Sequence, residues 1–152
     1  MADVVLVTAG QLRVEESLEQ DTKPAGVAIA AGQSVKEDAT TGRWILADAS
    51  AAGTADAYGM AVKTVPAGLP VTAIRRGVVD GFNLTDQDYN EQVFLSDTAG
   101  GIGDAAGTAG GIGDTAGTAG GVVGRVIAVH SHRIGGVPDK LLRLDYAGEV
   151  SA

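Results

Sequence analysis

The chain has 152 residues, a size suited to one domain, and 45% of them are hydrophobic while only 4% are aromatic. With 23 glycines and no cysteine, the core has to come from Val, Ile, Leu and Ala, and disulfides, thiolate metal sites and a cysteine nucleophile are excluded. A formal net charge of −8 speaks against binding a nucleic-acid backbone, which takes clustered Lys and Arg; an acidic coat keeps a folded protein in solution or meets a basic protein surface.

The opening residues, Met1-Ala2-Asp3-Val4-Val5-Leu6-Val7, lack the basic start of a secretory signal. No apolar run approaches the roughly 20 residues that cross a bilayer, so a soluble, unexported protein with no membrane partner is expected. A polar stretch follows, Arg13-Val14-Glu15-Glu16-Ser17-Leu18-Glu19-Gln20-Asp21-Thr22-Lys23-Pro24. One reading of residues 1–25 is an extended N-terminal arm that orders on a partner. In it Val4, Val5, Leu6 and Val7 pair with an exposed strand edge, while Glu15, Glu16 and Glu19 face basic groups. The other reading is a first strand followed by a short helix or loop.

Residues 26–152 read as one β domain. Ala31-Gly32-Gln33-Ser34-Val35 and Ala67-Gly68-Leu69-Pro70-Val71 share a turn glycine, two residues, then a valine opening an apolar run. Asn90-Glu91-Gln92-Val93-Phe94 is a weaker third copy with Asn in place of Gly, and both residue types tolerate the left-handed backbone of such turns. From Val35 the chain passes Asp38 and Gly42 to Trp44-Ile45-Leu46, a hairpin signature with its turn at 39–42. Val93 leads through Asp97 and Gly100 to Ile102 in the same outline. Further strands are expected at 60–65, 71–75, 78–82, 122–129 and 141–146. In the last, Leu142, Leu144 and Tyr146 share one face, and Arg143 and Asp145 the other. No segment sustains an apolar period of about 3.6 residues, and Ser50, Gly53 and Thr54 weaken any helix in the alanine-rich stretch 47–57. The fold class that follows is all-β.

Residues 98–107, Thr98-Ala99-Gly100-Gly101-Ile102-Gly103-Asp104-Ala105-Ala106-Gly107, recur almost unchanged at 108–117, and a third unit starts at Thr118 before departing into Val122. Near-identity suggests duplication in a glycine-rich surface loop, 98–121, because loop closure costs little more as a loop lengthens. A stack of small β-turns is the physical alternative.

Several motifs point to chemistry and fall short of it. Gly101-Ile102-Gly103-Asp104-Ala105-Ala106-Gly107 fits a loose dinucleotide fingerprint, but the pyrophosphate needs a helix N-terminus, and the next residues, Thr108-Ala109-Gly110-Gly111, propagate a helix poorly. The same repeat echoes a calcium-binding β-roll, with the aspartate one residue early and only two complete units. His130 and His132 share a strand face, with Asp139 the nearest further ligand, so no metal site is expected. Asp86 and Asp88 read as a turn capped by Thr85. No serine lies in a Gly-x-Ser-x-Gly elbow. Neither catalytic residues nor a cofactor are expected.

The ordered series Gly26-Val27-Ala28-Ile29, Ala31-Gly32-Gln33-Ser34-Val35, Gly42-Arg43-Trp44, Gly59-Met60-Ala61, Ala67-Gly68-Leu69-Pro70-Val71, Arg76-Gly77-Val78-Val79, Val93-Phe94-Leu95-Ser96-Asp97-Thr98-Ala99-Gly100 and Val123-Gly124-Arg125-Val126 resembles the small capsid-decoration (cement) proteins of tailed bacteriophages. The clean ten-residue copies and the Gly-Gly-Val-Pro stretch near the C-terminus depart from that pattern. The resemblance implies a compact β-barrel-like or β-tulip body and no catalysis. It also implies homotrimers on the outer capsid surface of the virion, bound to the major capsid protein and joining capsomers. Val4, Val5, Leu6, Val7, Glu15, Glu16 and Glu19 would then be the arm's capsid-facing residues. Two other classes are carried as alternatives: a trimeric receptor-binding or fibre-tip module, and a small β-barrel enzyme.

Overall fold

The computed structural model describes residues 3–4, 6–8, 10–47, 57–84, 88–90, 92–95, 102–103, 122–128 and 140–146. The fold is all-β, as expected: the described residues form ten strands in one antiparallel sheet, with no α-helix among them. The strands are β1 (Asp3–Val4), β2 (Arg13–Pro24), β3 (Ser34–Glu37), β4 (Trp44–Leu46), β5 (Gly59–Ala61), β6 (Pro70–Asp80), β7 (Gln92–Leu95), β8 (Ile102–Gly103), β9 (Val122–Ala128) and β10 (Lys140–Asp145). They run in the order β1-β8-β7-β9-β10-β6-β5-β3-β4, with β2 on the remaining edge of β6.

The sheet forks at β6. One edge of this strand is shared, β5 lying opposite Ala73 and Ile74 and β10 opposite residues 76–79. The other edge is taken by β2 from Arg13↔Asp80 to Pro24↔Pro70. On one branch β5, β3 and β4 curl round until Ala25, just past β2, bridges Trp44, with the Gly26 N–H donating to the Trp44 carbonyl at 2.8 Å. This curled half-barrel encloses Ala25, Ile29, Val35, Trp44, Ala61, Val65, Val71 and Ala73. On the other branch β10, β9, β7 and β8 bury a second cluster that includes Val79, Phe82, Val93, Ile102, Leu142, Leu144 and Tyr146. Short aliphatic side chains fill most of both clusters, and Trp44, Phe82 and Tyr146 are the buried rings they enclose.

The three turn copies behave alike. Gly32, Gly68 and Asn90 have φ of 86°, 96° and 67°, and β3, β6 and β7 each begin two residues later. The expected hairpin forms with Glu37 opposite Trp44 and Gly42 in the turn at φ 71°. Two expectations change. The strands foreseen at 71–75 and 78–82 are one strand, β6, running through Gly77. A Cβ at Gly77 would collide with the Glu16 carbonyl, so this glycine admits the close approach of β2 instead of marking a turn. The strand foreseen at 60–65 stops at Ala61, and Val65 pairs on its own with Ile29.

Candidate functional site: the exposed edge strand β2

β2 is twelve residues long and every residue of it except Lys23 is exposed. Its inner edge pairs with β6; among the described residues nothing pairs with its outer edge. Register shifts fall between Val14 and Glu16, between Ser17 and Glu19, and between Glu19 and Gln20. Bulges and charge are the usual means by which an edge resists indiscriminate pairing, and β2 carries both. Its apolar side chains are also in water: Leu18 is 70% exposed.

The C-terminal end of β2 is pinned to the half-barrel. Lys23 Nζ lies 2.9 Å from Asp21 and 3.1 Å from Glu37, and 5.2 Å above the Trp44 ring. Trp44 stacks obliquely on Tyr58 with centroids 5.0 Å apart, and Arg75 covers Tyr58 at 5.1 Å while donating to its carbonyl. Alternating cations and rings give contacts of the cation–π type. Hydrogen bonding from Lys23 lowers the Asp21 carboxyl below its ordinary value, and bonding to Asp21 and Glu37 raises the Lys23 ammonium. Burial, followed by the charges of Asp21 and Glu19, raises the Tyr58 hydroxyl. At the other end Arg13 pairs with Glu15 at 3.0 Å and Asp80 at 3.4 Å. Glu19 reaches Arg75 only at 3.9 Å. Glu16 has no ion-pair partner among the described residues.

The residues expected to form an arm divide as follows. Val4 lies in β1, opposite Ile102 of β8; Val5 lies outside the described residues. Leu6 is half-buried, bridges Phe82 and packs on the second cluster. Val7 is 73% exposed, its N–H bonded to the Gly81 carbonyl. Glu15, Glu16 and Glu19 all belong to β2. The described residues of β1 and β2 thus lie in the chain's own sheet. Sequence reasoning passed over Arg125 and Arg143, which β9 and β10 set opposite one another. Alternation in β10 placed Arg143 outward, but only the register brings Arg125 to it.

An open depression of about 440 Å³ is lined by Gly10, Gln11, Leu12, Arg13, Asp80 and Gly81, and the two charged groups in it are the ion pair Arg13–Asp80. Among the described residues no three of His, Asp and Glu are grouped to hold a metal ion. His130, His132, Asp139, Thr85 and Asp86 lie outside them, as does the tandem repeat except Ile102 and Gly103. Those two form β8, where Ile102 is buried in the core. Compared with protein-family models, with curated proteins and with solved structures, the chain matches none.

Proposed function

We propose that the protein is a non-catalytic capsid decoration protein. It sits as a homotrimer on the outer surface of a tailed-phage head and joins neighbouring capsomers through the major capsid protein. The observation that carries this reading is β2, a long acidic strand whose outer edge pairs with nothing among the described residues and whose side chains, Lys23 apart, are exposed. Such a strand buries little of its own fold, so its surface is available to another protein. Where described, the turn–strand motifs that resemble the decoration proteins lie on an all-β body, which suits a mechanical joint. The N-terminal residues Val4, Val5, Leu6 and Val7, with Glu15, Glu16 and Glu19, are the proposed partner-facing groups. Modest contacts repeated three times raise effective concentration and give avidity.

The test is co-sedimentation with expanded shells built from the major capsid protein of the same genome. Saturable binding that weakens as salt screens the carboxylates, and raises the temperature at which shells rupture, is expected. Failure to bind any expanded shell, or binding to a cell-surface glycan instead, overturns the reading.

A further inference from the structure

Register places one row of side chains across five strands on the sheet face opposite the second cluster. Gln92 of β7 pairs with Arg125 of β9, Arg125 with Arg143 of β10, Arg143 with Val78 of β6, and Val78 with Glu16 of β2. One step along, Asp145, Arg76 and Glu19 form the next row, with Asp145 and Arg76 in an ion pair at 3.4 Å. Residues that oppose one another in an antiparallel pair project to the same side, so Arg125, Arg143, Glu16 and Glu19 share this face. All four are exposed. Consistent with this, Val79 belongs to the second cluster and its neighbour Val78 does not.

Besides the Asp145–Arg76 ion pair, the face carries two arginines on β9 and β10 and two carboxylates on β2, with Val78 between. Like charges directly opposite one another are destabilising, yet Arg125 and Arg143 are so placed. Among the described residues no carboxylate lies within ion-pair distance of either; Arg125 donates to the Asn90 carbonyl at 3.0 Å. Glu16 and Arg143 stand two strand spacings apart, about 10 Å, and form no ion pair with each other. A chain of net charge −8 that sets two arginines without an ion-pair partner among the described residues on one patch, and Glu16, likewise without one, beside the loosely paired Glu19 on an edge strand, carries both halves of one contact.

We infer that Arg125 and Arg143 are the docking surface for β2 of a second copy of this chain, whose Glu16 and Glu19 supply the opposing carboxylates. Passed in one direction from copy to copy, as a trimer requires, the contact is heterologous and closes into a ring. Within the proposed function this deepens the homotrimer and rests on it. Glu16 and Glu19 meet a neighbouring copy, and the grip on the shell falls to residues 4–7 and Glu15.

The experiment uses the purified full-length chain without shells. Sedimentation is measured for the parent, for Arg125→Glu/Arg143→Glu, for Glu16→Lys/Glu19→Lys, and for the chain with all four reversed. The parent should self-associate, less so in high salt. Each half-reversal should weaken association about tenfold or more, as expected for close charge pairs, with its melting temperature kept. Reversing all four should restore it. A parent that stays monomeric in low salt, or a fourfold reversal no tighter than its halves, overturns the contact. Shell binding by the parent is scored separately. A parent that binds shells while this charge pattern fails leaves the decoration reading standing. The converse result leaves the contact and removes the shell.

Discussion

Asn90 is the one non-glycine residue with positive φ among those described, at 67°. It occupies the turn position that Gly32 and Gly68 hold in the other two copies. The left-handed region costs ordinary L-residues roughly 1–2 kcal/mol, and Asn is among the few that visit it routinely. Asn90→Ala should therefore lower stability by about 1–2 kcal/mol, whereas Asn90→Gly should stay within about 0.5 kcal/mol of the parent. Chemical denaturation of the two variants checks this; equal stabilities would show that the turn does not need its left-handed residue. These turns were readable in the sequence because backbone conformation at a single position restricts residue type. Gly77 is the converse case. A glycine required by the close approach of another strand looks, in one dimension, like a glycine required by a turn.

At the scale of elements, legibility followed burial. β10 alternates because one face meets the core: Leu142 and Leu144 are buried, Arg143 and Asp145 exposed. β2 offers no alternation because neither of its faces is covered, and what makes it a strand is the β6 edge, 46 to 67 residues further along the chain. Its acidity marked it as an interaction segment; its pairing could not be seen. The arginine pair was hidden for the same reason, since apposition depends on the register of β9 against β10 and each residue alone is an ordinary surface arginine. The two strands should respond oppositely to substitution. Leu18→Lys on β2 should change stability by less than about 0.5 kcal/mol, as for exposed positions away from special features. Leu142→Ala on β10 should cost about 2–5 kcal/mol, the range for emptying a packed core site. Thermal or denaturant unfolding of both measures the contrast, and a large loss at Leu18 would mean that β2 is covered in the folded chain.

At the scale of the whole molecule, the proposed contact decides how copies close. Two arrangements satisfy the same charges. A two-fold dimer lays face on face, so that each copy's arginines meet the other's carboxylates; a ring of three passes the contact round in one direction. Mixing the two half-reversed chains separates them by counting. Arg125→Glu/Arg143→Glu repels its own kind and so does Glu16→Lys/Glu19→Lys, but each attracts the other at both patches. One of each forms a complete two-fold dimer with both contacts matched. Around a ring of three the two kinds cannot alternate, because the number of joints is odd and one joint must pair like with like. The homotrimer reading therefore predicts that the mixture gives open pairs and chains whose size varies with concentration, and no closed trimer. The chain carrying all four reversals, in which every joint is again opposite in sign, should return to the parental trimer. Native mass spectrometry with one variant isotopically labelled reads the composition of each species directly. A mixed dimer as tight as the parental assembly would establish the two-fold arrangement and sink the ring, and mixed trimers of parental stability would show that these charges do not govern closure at all.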